Sequence, residues 1–331
     1  MSAEPTRVAI VTPAVLGSRH GNRITALRIA MQLRGLFMQP FVCSSWPLPA
    51  TKRDLQRATV MIAIHARRSA ASIARYASTE PRGKIVLVLG GTELYPHFDD
   101  APETLASLLT ADRIVGLQPL AIAALPAEFR GKVRTIEQSA QRTVPLRAAL
   151  PPLCCHAVIA AHLRPIKQPT LPAEALQLLP DLPNLRVDLL GDVIDPVTGT
   201  EVAAAALRDP RFRWLGERPR RETQARIAAA DLLLLPSLGE GGASVISEAI
   251  VHGTPVLASA IPGNVGLLGA DWPGLFDPKQ PAQLALLLRR AATDAAFVTT
   301  LRLRTAQLAK RFTPAYEQRL WSELLAELAR S

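Results

Sequence analysis

The chain has 331 residues, enough for two ordinary domains with a core each; 48% hydrophobic and 20% charged residues exclude a disordered chain. Its net charge of +10 sits at the front, where residues 1–150 hold 19 Lys and Arg against 10 Asp and Glu, inviting nucleic acid, an anionic membrane surface or small anionic ligands as partners. Aromatics at 5%, no zinc-finger, RNA-recognition or helix-turn-helix signature, and no apolar run near the roughly 18 residues that span a bilayer argue against nucleic acid and membrane insertion.

The N-terminus, MSAEPTRVAIVTP, enters a strand-like run without the basic, apolar and cleavage segments of a leader, so a cytoplasmic location is expected. Apolar runs follow at RVAIVTP (7–13), PFVCSS (40–45), TVMIAIH (59–65), KIVLVLG (84–90) and RIVGLQ (113–118), with helical patterns such as GNRITALRIAMQLRG and RSAASIARYAS between them. Continuous apolar strands alternating with helices predict a parallel sheet covered on both faces. The Pro-rich stretch TVPLRAALPPL (143–153) reads as a linker.

Alternation then restarts with CHAVIAAHL, a helix through PAEALQLLP, LRVDLLGD, RFRWLGE, a helix to about Ala230, DLLLLPS, a helix from about Ala243 to His252, and TPVLAS. Residues 281–312 read as helical and 314–331 as a final amphipathic helix. The expectation is an α/β chain of two Rossmann-like, doubly wound parallel-sheet domains facing across a cleft. Its divisions are 1–145, a linker at 146–153, 154–312, and a terminal helix at 313–331 packing back toward the first domain. Three cysteines, Cys43 and the adjacent Cys154 and Cys155, show neither disulfide nor metal spacing, and no histidine pair has ligand spacing. No metal or cofactor is expected, and the oligomeric state stays open.

In open α/β sheets ligands bind outside the carboxyl ends of strands, so the loops there hold the candidate chemistry. The loop after the first strand, PAVLGSRHGN, lacks the GxGxxG fingerprint, which disfavours a nicotinamide-dependent dehydrogenase. After DLLLLPS comes SLGEGG and a helix that Gly253 and Pro255 would stop. Such a Gly-rich helix start offers unpaired N–H groups to a phosphate, and the flanking carboxylates Glu240 and Glu248 suit hydroxyl pairs of a sugar or ribose. The plainer alternative is that Glu248 is solvated and Glu240 caps a turn. Arg164 and Lys167, three residues apart after the strand CHAVIAAHL, could neutralise a diphosphate or could equally be solvated. In the first half, Gly17, Ser18, Arg19 and Asn22 form a second Gly-rich anion cradle, and His65, Arg67 and Arg68 stand at a strand end and helix start. Gly91, Thr92 and Glu93 follow the next strand.

The block PSLGEGGASVISEAIVHGTPVLAS resembles the signature of GT-B retaining-type glycosyltransferases of family four, with two glutamates separated by seven residues. That resemblance gives Glu240 to the donor sugar, Glu248 to the nucleotide ribose, Gly241, Gly242 and Ala243 to the helix start facing the donor, and Arg164 with Lys167 to the donor diphosphate. The strings TPAVLGSRHGNRITALR, HARRSAASIARY, GGTELY, LQPLAI, HLRPIK, EGGASVISEA and SAIPGNVGLLG together resemble one subgroup, the selenosugar synthases of selenoneine biosynthesis, over about residues 7 to 325. It implies a UDP-sugar, with UDP-N-acetylglucosamine favoured, and selenophosphate as substrates, and a 1-selenosugar, UDP and phosphate as products. His65, Arg164, Lys167 and Glu240 would then be catalytic. Gly17 joins the donor set, while Ser18, Arg19, Asn22, Arg67, Arg68 and Thr92 would hold the acceptor. The same fold acting on a lipid or saccharide acceptor is the alternative, and a noncatalytic nucleotide-sugar-binding protein is a third.

Overall fold

The computed structural model describes residues 6–14, 21–48, 57–95, 97–146 and 155–330. The chain divides into two compact units, Met1–Gln138 with Pro314–Ser331, and Ser139–Thr313. Residues 139–145, grouped with the first domain on sequence, join the second unit because Ala140 N donates to Phe312 O and Thr143 N to His252 Nε2, at 3.0 and 2.8 Å. Most of the expected linker, residues 147–153, and Cys154 lie outside the described residues.

The first unit is a six-stranded parallel sheet in the order β2-β1-β3-β4-β5-β6. Its strands are β1 (Arg7–Val11), β2 (Gln39–Cys43), β3 (Val60–Ile64), β4 (Lys84–Val88), β5 (Arg113–Gly116) and β6 (Val133–Thr135). Alternate residues serve opposite faces. Ala9, Val11, Met61 and Ala63 pack with Ile73 and Tyr76 of the helix Ala66–Thr79. Val8, Ile10, Ile62 and Ile64 pack with Ala26, Ile29 and Leu33 of the helix Gly21–Arg34 and with Trp321, Leu324 and Leu328 of the helix Pro314–Arg330. Burial on both faces explains why the strands read as unbroken apolar runs.

In the second unit the strands are β7 (Cys155–Ala160), β8 (Leu185–Leu190), β9 (Phe212–Trp214), β10 (Leu232–Leu235), β11 (Val256–Ser259) and β12 (Leu275–Phe276). They form a parallel sheet ordered β12-β11-β10-β7-β8-β9. After β7 the chain builds outward through β8 and β9, then returns to place β10 on the other side of β7. The strand order therefore reverses between β7 and β10, the place in such a sheet where a crevice opens at the carboxyl ends. The stretch 281–312 is not one helix: Asp294 ends Pro281–Thr293 and caps Ala295–Leu308, accepting from Phe297 N at 3.0 Å, and a 3₁₀ turn follows at Ala309–Phe312. Among the described residues no helix is long and apolar enough to cross a membrane, and no three His, Cys, Asp or Glu side chains are arranged to hold a metal ion.

Candidate functional site

At the reversal point in the second unit two loops meet. The loop after β7 carries Arg164, exposed, as the residue before a 3₁₀ turn at Pro165–Lys167. The loop after β10 carries Glu240, which is buried at 9% exposure. Leu238 N donates to Ile166 O at 2.8 Å and joins the two loops through their backbones. Lys167 Nζ then lies 2.6 Å from Glu240 Oε1, and the buried Ser237 hydroxyl donates to the same oxygen at 2.7 Å. A charge-assisted contact of that length fixes both side chains. Beneath them, Ser259 Oγ donates to Ser237 O at 2.5 Å, and the amide of buried Asn264 donates to Ser259 O at 3.0 Å. Gly263 comes so close that an added Cβ would lie 2.0 Å from Glu240 O. The Glu240 loop is thus pressed between the residues after β7 and those after β11.

Gly241, Gly242 and Ala243 lead into the helix Ser244–His252, with Ala243 as its N-cap and Gly253, at φ 76°, closing it in the left-handed region. Glu248 lies inside this helix and is buried at 5% exposure, so the solvated alternative does not hold. Its Oε1 accepts from Arg220 Nη2 at 2.9 Å and from Gln224 Nε2 at 3.1 Å, both on the helix Arg220–Ala229.

In the first unit the strand order changes direction between β1 and β3, and His65 follows β3. It caps the helix Ala66–Thr79 from a positive φ of 72°, a conformation costly for a side chain of this size. Behind it stands Glu93, with no exposed surface. The Glu93 carboxylate accepts from Ala66 N and, at 2.7 Å, from Gly90 N, and its Oε1 is 3.2 Å from His65 Nδ1. Nδ1 accepts from Arg68 N at 3.5 Å in capping the helix, and Nε2 lies 3.4 Å from the Thr92 hydroxyl. Arg67 and Arg68 are exposed in the first turn of the helix, Arg67 being 3.9 Å from Asp99. Asn22 is half-buried in the helix Gly21–Arg34, whereas Gly17, Ser18 and Arg19 lie outside the described residues.

The structure therefore brings Lys167 and Glu240 together, with Arg164 and Glu248 on neighbouring elements, and separately gathers His65, Arg67, Arg68 and Thr92. Sequence reasoning missed Ser237, Arg220, Gln224 and Gly263, and did not give Glu93 a role. The one available signal was the tripeptide PGN in SAIPGNVGLLG, a glycine just inside a helix start after a strand.

Residues 156–312, within the second unit, match the model of the family of glycosyl transferases group 1. The D-inositol 3-phosphate glycosyltransferase of Corynebacterium efficiens is 31% identical over 211 residues, 61% of this chain and 46% of that one. This chain spans less than half the length of the first curated relatives it matches. Among solved structures, Anabaena HepE in complex with UDP and glucose superposes with a TM-score of 0.74 at 16% identity, over 97% of this chain and 100% of that one. Sucrose-phosphate synthase from Thermosynechococcus elongatus gives a TM-score of 0.75 at 17% identity, over 98% and 100%. Such identities speak for fold alone: two six-stranded Rossmann-like units, the GT-B fold.

Proposed function

We propose that this protein is a glycosyltransferase that takes its donor from a UDP-sugar and, more specifically, transfers the sugar to the selenium of selenophosphate. The observation that carries the donor half is the Lys167–Glu240 contact of 2.6 Å at the reversal point of the unit that matches the group 1 glycosyltransferase model, one helix start away from Glu248. Arg164 and Lys167 would neutralise the diphosphate as the bond to the sugar breaks, supported by the N–H groups at Gly241 and Gly242 and the positive end of Ser244–His252. Glu240 would hold sugar hydroxyls and Glu248 the ribose hydroxyls, both carboxylates being acceptors. HepE, with UDP and glucose in its structure, is consistent with a donor of this class.

The acceptor half rests on the seven ordered strings that resemble selenosugar synthases, and on the basic first half of the chain. In the proposed reaction selenium bonds to the anomeric carbon while the carbon–oxygen bond to UDP breaks and UDP keeps the electron pair. Water then takes the phosphoryl group from selenium, giving a 1-selenosugar and inorganic phosphate. A selenium nucleophile needs little help from a general base. Arg67 and Arg68 would hold the acceptor phosphate, with His65 and Thr92 beside them.

The test is UDP release from UDP-N-acetylglucosamine under anaerobic conditions, with and without selenophosphate, and mass spectrometry of the sugar product. Selenophosphate-dependent UDP with a selenium-bearing sugar is expected. UDP-sugar binding without any response to selenophosphate would discard this acceptor and turn the search to lipid or saccharide acceptors.

A further inference from the structure

Glu248 poses an energetic problem that helix packing alone does not resolve. Its neighbours in Ser244–His252, Ile246, Ala249 and Ile250, are buried apolar residues at 0%, 0% and 1% exposure. A carboxylate set among them must be paired, and Arg220 and Gln224 supply the pairing. Yet a buried ion pair adds little over an apolar pair of similar volume, so stability gives no reason for a carboxylate in this position.

The geometry of the pairing suggests one. Arg220 and Gln224 are four residues apart, on one face of the helix Arg220–Ala229, and both converge on a single oxygen of Glu248, Oε1. One donor on a carboxylate leaves its plane free to turn about the last side-chain bond. Two donors from one face restrict that rotation and set the direction of the whole carboxylate. The Arg220 side chain stays 43% exposed, so the pair sits at an edge open to solvent, while the Glu248 side chain is 6% exposed.

We infer that Arg220 and Gln224 are positioning residues that aim the Glu248 carboxylate at the 2′,3′-hydroxyl pair of the donor's ribose and thereby make the site selective for ribonucleotides over 2′-deoxyribonucleotides. This rests on the assignment of Glu248 to the ribose. A carboxylate held at a fixed angle meets both hydroxyls of a cis diol; one that swings meets them only part of the time and loses the advantage of the second. Discrimination by a hydrogen-bonding site against an analogue that lacks the hydroxyl is strong because the site's own buried acceptor is left unsatisfied.

Calorimetric titration of UDP and 2′-deoxy-UDP into the wild type, Arg220→Ala and Gln224→Ala tests this, with thermal unfolding of each variant as a control on folding. In the wild type UDP should bind about tenfold or more tightly than 2′-deoxy-UDP, the value of one hydrogen bond to a charged group. In Arg220→Ala the preference should fall to about threefold or less, through weaker UDP binding with 2′-deoxy-UDP nearly unchanged, and Gln224→Ala should fall between. If both variants weaken the two ligands by the same factor and keep the wild-type ratio, the pair acts only as scaffold and the inference is overturned. If the wild type itself shows no preference, the ribose assignment of Glu248 fails, and the inference with it.

Discussion

Gly263→Ala is the most economical way to disturb the Glu240 loop without replacing any of its own residues. Gly263 is the second residue of the helix Pro262–Leu268, and a Cβ there would lie 2.0 Å from Glu240 O, 2.7 Å from its carbonyl carbon and 2.9 Å from its Cβ. Side-chain carbons essentially never come within 3.0 Å of such atoms, so the helix start and the loop must part by at least about 1 Å. All three obstructing atoms belong to the backbone or the root of a buried side chain, so no flexible group can yield. Forced overpacking of this kind costs about 1 to 3 kcal/mol of stability. A misplacement near 1 Å at a reacting centre costs about a hundredfold in turnover. The control is Gly253→Ala, where the added carbon meets nothing within 4 Å and the penalty is conformational, about 1 kcal/mol for the left-handed φ of 76°. Both variants should melt below the wild type, but only Gly263→Ala should lose turnover and UDP-sugar affinity. Gly263→Ala with wild-type kinetics would refute the view that this contact places Glu240.

Three other perturbations separate the parts of the molecule. Lys167→Met removes the cation 2.6 Å from Glu240 and should lower turnover about a hundredfold with the far-ultraviolet circular dichroism unchanged; normal turnover would contradict its role at the diphosphate. Glu93→Gln turns one acceptor oxygen into a donor facing Ala66 N, Gly90 N or His65, and should cost about 2 kcal/mol in chemical denaturation, a loss that an unaltered unfolding midpoint would exclude. Asp188 lies on β8 between His156 and Arg213: burial alone would raise its pKa, but hydrogen bonds from His156 and Arg213, with their charges, hold it below the usual 3.8. A depressed folded pKa stabilises fully above the unfolded value and is lost as pH falls through the folded one, so Asp188→Asn should lower the melting temperature at pH 7 and flatten its dependence on pH below about 4. Parallel acid profiles for variant and wild type would show that this carboxylate does not set that dependence.

Of the twelve strands among the described residues, ten overlap runs that could be read from the residues, β2 starting one residue early at Gln39, because most strands are buried on both faces and spelled as largely apolar stretches. Strands β6 and β12 were missed: Val133–Thr135 and Leu275–Phe276 are three- and two-residue edge strands, and neither shows the alternating Phe-Arg-Trp that makes the equally short edge strand β9 readable. The division of 281–312 at Asp294 was masked by apolar periodicity on both sides of a single capping residue. In the site, Glu240 and Glu248 were legible because a strand, a Gly-rich loop and a helix place them within a few residues of each other. Arg220 and Gln224 come from a different helix, Gly263 from beyond the next strand, and Lys167 reaches Glu240 across 73 positions of sequence. Those meetings are products of the strand order, which no local pattern encodes. Glu93 was obscure in another way: an acid after a strand end reads as a solvated loop residue, and only the fold reveals that two backbone N–H groups and His65 enclose it.

The most direct test of the donor site is a crystal structure of the protein with UDP bound. The ribose hydroxyls are predicted to lie within hydrogen-bond distance of the Glu248 carboxylate, with the diphosphate against Arg164, Lys167 and the start of Ser244–His252. UDP seated anywhere other than at the carboxyl ends of β7 and β10, or no UDP at saturating concentration, would contradict the donor assignment and the function built on it.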